Sequence, residues 1–130
     1  SKMNKIIPQT TVKDGRGKII DLIEGESINS VTYVTFNKNA VRGNHYHKET
    51  TQWNYLLSGK IKIVTQLQGE EVKELVMERG DLIETLPNER HALLGLESSE
   101  LLVLTRGPRG GKEYESDTYR LNTPLIDAGR

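Results

Sequence analysis

The chain predicts an all-β fold, a double-sheet jelly roll or small barrel, on three observations. Its apolar residues come in runs of about four to eight, separated by Gly, Pro, Asn and Asp clusters roughly every 8 to 12 residues. No segment holds a helical period over a dozen positions. Finally, the short strands that result, packed into 130 residues, cannot form one flat sheet without long exposed edges.

The strands follow in order. Thr10 to Val12 is the first, and Asp14-Gly15-Arg16-Gly17 reads as a hairpin turn that returns the chain through Lys18 to Ile23. Val31 to Phe36, Asn44 to His47 and Gln52 to Leu57 come next, and Ser58-Gly59 reverses the chain into Lys60 to Leu67. Gln68-Gly69 precedes Glu71 to Met77, Arg79-Gly80 precedes Leu82 to Thr85, and Pro87-Asn88 precedes His91 to Leu94. Glu100 to Thr105 is the last. Each turn supplies a residue that tolerates positive φ, or a proline with φ fixed near −65°. Length allows one domain, residues 1–130, with an N-terminal arm strand over 1–12 and an irregular tail over 107–130. In that tail Tyr114, Tyr119, Leu121, Leu125 and Ile126 could dock on the barrel or on a partner subunit.

Lys plus Arg and Asp plus Glu each count 18, so the chain carries no electrostatic footprint for nucleic acid or anionic lipid. The longest apolar run, Leu101 to Leu104, is far short of the roughly 20 residues that cross a bilayer. With no apolar run near Ser1 to Lys5 to act as a signal peptide, the expected location is cytoplasmic. Cysteine is absent, which excludes disulfides, thiolate catalysis and Cys-based zinc sites.

The three histidines fall in two compact patterns. His45 and His47 flank Tyr46 on a predicted strand, so both imidazoles leave one face, close enough to ligate one ion. His91 lies on a strand bounded by the Pro87-Asn88 turn.

These residues resemble the two motifs of the cupin superfamily. The spacing of His45, His47, Gln52 and Gly59 matches the first motif, with Gln52 where the family has Glu. Gly80 and His91 keep the length of the second, although Leu86 replaces its proline and Asn88 its glycine. At the motif ends, Asn39 stands for the first glycine and Gly95 for the terminal Asn. The resemblance implies a double-stranded β-helix, the cupin jelly-roll barrel, with His45, His47, Gln52 and His91 around one divalent ion. Three imidazoles and an amide suit Zn, Ni, Fe(II), Mn or Co and leave positions open for water or substrate.

A narrower likeness rests on Asp14-Gly15-Arg16-Gly17 and on Arg42-Gly43-Asn44-His45-Tyr46-His47-Lys48. Both are similar to segments of cupins that act on nucleotide-linked keto sugars: the dTDP-4-keto-6-deoxyglucose 3,5-epimerases, the sugar 3,4-ketoisomerases and the C-terminal cupin of capsular-polysaccharide enzymes. That likeness implies an epimerase or isomerase of surface-polysaccharide biosynthesis. Arg42 would hold the diphosphate, and His45 would lie near the sugar carbon that loses a proton. A metal-bound His45 cannot also be the free base; with metal present, the acid or base is sought among Tyr33, Tyr55 and Tyr46. Tyr33 and Tyr55 are candidate substrate contacts and Tyr46 a candidate catalytic residue, although Trp53, Tyr55 and Tyr33 fit core packing better than sugar stacking.

Two other classes of function compete. The full histidine set would serve a metal-dependent dioxygenase-type enzyme, whereas the short chain and neutral Gln52 would serve a non-catalytic sugar-binding cupin. Exposed strand edges and the apolar residues Ile6, Ile7 and Val12 predict a homodimer.

Overall fold

The computed structural model describes residues 3–108 and 115–128. Twelve strands run in the order β1 (Asn4–Ile6), β2 (Thr10–Asp14), β3 (Gly17–Ile20), β4 (Ser30–Phe36), β5 (Val41–Tyr46), β6 (Thr51–Ser58), β7 (Ile61–Gln66), β8 (Lys73–Met77), β9 (Leu82–Thr85), β10 (Arg90–Gly95), β11 (Ser99–Arg106) and β12 (Tyr119–Arg120). One five-stranded sheet has the order β1-β9-β6-β11-β4, the other β12-β5-β10-β7-β8, and β2 and β3 form a separate hairpin. Every pairing is antiparallel. From β4 to β12 the chain crosses between the two five-stranded sheets at every connection except β7–β8, a hairpin within one sheet, which is the jelly-roll arrangement the sequence predicts.

The ten predicted strands all form, and two more join them. At the N-terminal end the arm divides: β1 pairs with β9 at the edge of its own barrel, while β2 belongs to the exposed hairpin. At the other end the expected irregular tail contributes β12, which pairs with β5. Tyr114 and the rest of 109–114 lie outside the described residues. Among the described residues, no helix is long and apolar enough to cross a membrane.

The inward faces of the two sheets meet in a core of Phe36, Leu56, Ile61, Ile63, Met77, Ile83, Leu93, Leu101 and Val103. Burying such side chains contributes roughly 1.5–3 kcal/mol each. Along the strands that line the barrel this apolar filling gives way to polar groups at one end. On β6 the cavity-side residues are Gln52 and Asn54, with Leu56 in the core beyond; on β10 they are His91 and Leu93. The barrel therefore has a sealed apolar end and a polar mouth.

Candidate active site at the barrel mouth

Strand β5 carries the mouth, and its geometry departs from simple alternation. His45 pairs with His91 on β10, but Ala92 pairs with Gly43, so Asn44 is an extra residue in the ladder. Gly43 has φ +90° and Asn44 φ +60°, the left-handed region that glycine and asparagine tolerate. A side chain at 43 would also strike β10, its Cβ falling 2.9 Å from the His91 carbonyl oxygen. Without the bulge, Arg42 and His45 would point to opposite faces, being three positions apart. With it, Arg42 pairs with the core residue Leu93 and lines the same cavity as His45.

The three histidines converge. His45 and His91 are cross-strand neighbours with ring centroids 4.7 Å apart at 89°. His47 lies 4.8 Å from His45 and 5.3 Å from His91. All three are buried, and one nitrogen from each lies within 4.8 Å of the others. Metal–nitrogen bonds of about 2.0–2.1 Å put neighbouring ligand atoms about 3–4 Å apart, so the rings would have to turn inward to share one ion.

Main-chain carbonyls hold two of the rings. Nδ1 of His47 donates to the Asp117 carbonyl at 2.9 Å, and Nδ1 of His91 to the Glu89 carbonyl at 3.1 Å. A neutral imidazole with its proton on Nδ1 carries its lone pair on Nε2, the form needed by a metal ligand or a base. Burial of the ring, with His47 beside it, lowers the pKa of His91 to about 4, against a smaller opposing effect of the Glu89 carbonyl. His91 is therefore neutral at physiological pH.

The cavity has a volume of about 100 Å³. His45, His91, Gln52, Asn54 and Thr85 form its polar wall, and Phe36, Leu93 and Val103 are among its apolar residues. That volume is well below the roughly 300–1,000 Å³ of pockets that enclose drug-sized ligands, so a nucleotide sugar would lie partly outside it. Arg42 lines the cavity too: its Nε and Nη2 donate to the Thr35 carbonyl at 3.2 and 3.0 Å, and its guanidinium lies 5.4 Å from the Phe36 ring centroid.

Of the predicted site residues, His45, His47 and His91 form one cluster, and Gln52 and Arg42 share the cavity with His45 and His91. The three tyrosines are elsewhere, which corrects the expectation for each. Tyr33 is 56% exposed on the outer face of β4, where its hydroxyl donates to Glu100. Tyr55 alternates with the cavity residue Asn54 and lines a groove with Leu22, Ile23, Leu82 and Leu102. Tyr46 lies between the two histidines on the opposite face of β5, stacked on Tyr119 with centroids 5.3 Å apart and capped by Arg90. The period of two that brings His45 and His47 together turns Tyr46 away from them.

Sequence reasoning did not anticipate Asn54, Thr85, Glu89 or Asp117. Asn54 and Thr85 could have been read from strand alternation, since each is two residues from an inward neighbour. Glu89 had only its place beside the Pro87-Asn88 turn, and Asp117 had no local signal.

The model of the polysaccharide biosynthesis C-terminal domain family matches residues 12–119. No curated protein matches the chain. Among solved structures, the chain is similar to a double mutant of the QdtA 3,4-ketoisomerase from Thermoanaerobacterium thermosaccharolyticum bound to TDP. Identity is 27% and the TM-score 0.74, over 91% of this chain and 86% of that one. A TDP-quinovose 3,4-ketoisomerase from Campylobacter jejuni shares the fold at 21% identity and a TM-score of 0.76, over 91% of this chain and 92% of that one. So does the rmlC epimerase of Mycobacterium tuberculosis, at 14% and 0.72, over 89% and 66%.

Proposed function

This chain belongs to the polysaccharide biosynthesis C-terminal domain family, and from that premise we propose that it isomerises or epimerises a nucleotide-linked 4-keto sugar. The observation that carries the reading is the join at the β5 bulge. One strand presents both an arginine suited to a diphosphate and a histidine in a small buried cavity suited to the sugar. QdtA, the 27% identical ketoisomerase, is itself bound to TDP.

The chemistry is enolisation. A ketone acidifies the neighbouring C–H; in isomerisation His45 takes that proton and returns it to the former carbonyl carbon, while the proton of the adjacent hydroxyl passes to the former keto oxygen, and epimerisation would need a second acid on the opposite face of the sugar. His91, held neutral, adds no positive charge that would oppose protonation of His45. Arg42 binds the diphosphate with a planar, permanently charged fork, while Phe36, Leu93 and Val103 exclude water from the ring.

The same donor set fits a divalent ion, which His45, His47, His91 and Gln52 would hold. When bound, such an ion polarises the keto oxygen as a Lewis acid. A ligating His45 has no lone pair for a proton, so metal content measured on protein purified without added metal decides its role.

We assign the active form to a homodimer. The β2–β3 hairpin pairs with neither five-stranded sheet and exposes Val12 and Ile19, and β4 is an open sheet edge with Val31 and Tyr33 exposed. An isolated hairpin is marginal in water, and a partner's edge would complete it. Sedimentation as a monomer at micromolar concentration refutes this. The cytoplasmic location belongs to the same proposal, because a charged nucleotide sugar does not cross a bilayer unaided.

The test of the chemistry is solvent exchange. Incubated in deuterium oxide with dTDP, UDP and GDP 4-keto sugars, the enzyme should introduce deuterium beside the ketone of at least one, and His45→Asn should abolish it. Absence of both exchange and binding across the panel refutes the assignment.

A further inference from the structure

The carbonyls that hold His47 and His91 belong to two buried acidic residues, and the two arrangements repeat one another. Asp117 is 2% exposed. Its carboxylate accepts the N–H of Lys48 at 3.0 Å, that of Glu49 at 3.1 Å and the hydroxyl of Thr50 at 2.7 Å. Those three residues form the connection from β5 to β6 immediately after His47. Asp117 thus fastens this connection with its side chain and receives the His47 ring with its own carbonyl.

Glu89 is 1% exposed and does the same on the neighbouring loop. Its Oε1 accepts the Leu86 N–H at 3.0 Å, closing the β9–β10 turn, and its carbonyl receives His91. The Asn88 N–H donates to the His47 carbonyl at 2.6 Å, so the two loops are tied together. Neither acid lines the cavity. Burying a carboxylate is costly, and a neutral turn would avoid that cost. What the carboxyl groups supply is hydrogen bonds that brace the two loops and hold two carbonyls in place.

We infer that Asp117 and Glu89 are the positioning residues of the histidine site, each fixing the ring orientation and tautomer of one histidine. Asp117 sets His47 and Glu89 sets His91, in both cases with the proton on Nδ1 and the lone pair on Nε2. This rests on the reading that the histidine cluster is the reactive site, and it deepens that reading.

Its test needs neither substrate nor metal. In chelator-treated protein labelled with 15N-histidine, two-bond 1H–15N correlation at neutral pH identifies the protonated nitrogen of each ring. His47 and His91 should both show Nδ1–H and a bare Nε2. Asp117→Ala should shift His47 to a mixed or Nε2–H pattern and leave His91 unchanged, and Glu89→Ala should do the reverse. Asp117→Asn, which keeps one oxygen for the loop, should fall between wild type and Asp117→Ala. If either alanine variant does not fold, Asp117→Asn and Glu89→Gln carry the comparison, each shifting only its own histidine. The inference is overturned if wild-type His47 or His91 carries Nε2–H, if a folded variant leaves its own histidine unchanged, or if both histidines move together. Turnover is the separate arm: Asp117→Asn should lower kcat about 10- to 100-fold with little change in KM. An inert wild type with the expected tautomers refutes the enzymatic reading and leaves the positioning roles standing.

Discussion

Gly43→Ala tests whether the bulge in β5 is a steric necessity. Two costs meet at this position. An L-residue at φ +90° is in the left-handed region, which costs about 1–2 kcal/mol. The new methyl would also lie 2.9 Å from the His91 carbonyl oxygen and 3.2 Å from the Ala92 Cα, both main-chain atoms of a paired strand. Overpacking of that kind costs about 1–3 kcal/mol more, for a total of about 2–5 kcal/mol. Gly80 separates the two contributions, because it has the same φ of +90° with nothing within 4 Å of its would-be Cβ. Gly80→Ala should therefore lose only the backbone share, about 1–2 kcal/mol. At about 4 °C per kcal/mol for a chain of this size, Gly43→Ala should melt roughly 4–12 °C below Gly80→Ala. Urea unfolding at constant m-value checks the same ordering. If Gly43→Ala is as stable as Gly80→Ala, the close approach of β5 to β10 is wrong, and so is the placement of Arg42 that depends on it.

Three further outcomes follow from the site. In metal-free protein, His91 has a pKa of about 4 when folded against 6.5 in the unfolded chain, so the unfolded state binds the proton first as pH falls. Stability should be full above pH 6.5 and fall by about 3 kcal/mol as pH drops to 4; His91→Gln should flatten that slope in pH-dependent urea melts, and an unchanged slope would refute the assignment. Arg42→Lys should weaken TDP binding about tenfold by calorimetry despite the retained charge, because an ammonium cannot bond the Thr35 carbonyl and a phosphate in the same planar fork. Gln52→Glu should tighten binding of zinc in an equilibrium titration, since a carboxylate is the stronger oxygen donor; unchanged affinity would place residue 52 outside the ligand set.

The parts of this molecule that rest on local rules were legible in its sequence. The turns at Gly59, Gly69, Gly80 and Asn88 all have positive φ, and the strands they separate form as expected. Strand alternation placed His45 and His47 on one face, and motif spacing brought in His91. The same rule, applied to the tyrosines, would have placed Tyr46 and Tyr55 away from the cavity, since each is next to an inward residue. Arg42 shows the opposite case, where alternation alone misleads: Gly43 and Asn44 have the composition of a turn but form a bulge within a continuous strand. Asp117 was illegible for another reason. Its partners are 67 to 70 residues away, and nothing in the neighbouring sequence encodes a contact made only when the barrel closes.

The stitching of the chain's last described segment onto the bulge also bears on the order of assembly. Asn44 donates to the Ile126 carbonyl and accepts the N–H groups of Leu125 and Ile126, while its own carbonyl accepts the Leu121 N–H. Beside it, β12 covers an edge of β5 that would otherwise be open. These contacts close loops of about 70 to 80 residues, whereas the β7–β8 hairpin at Gly69 closes a loop of a few. The tail docks on the Asn44 bulge, which exists only in the pairing of β5 with β10, so it follows the formation of that sheet. Refolding should show the tryptophan signal of Trp53 on β6 settling before His47 acquires its hydrogen bond, so that a barrel with native sheets but a loosely held His47 precedes the finished protein.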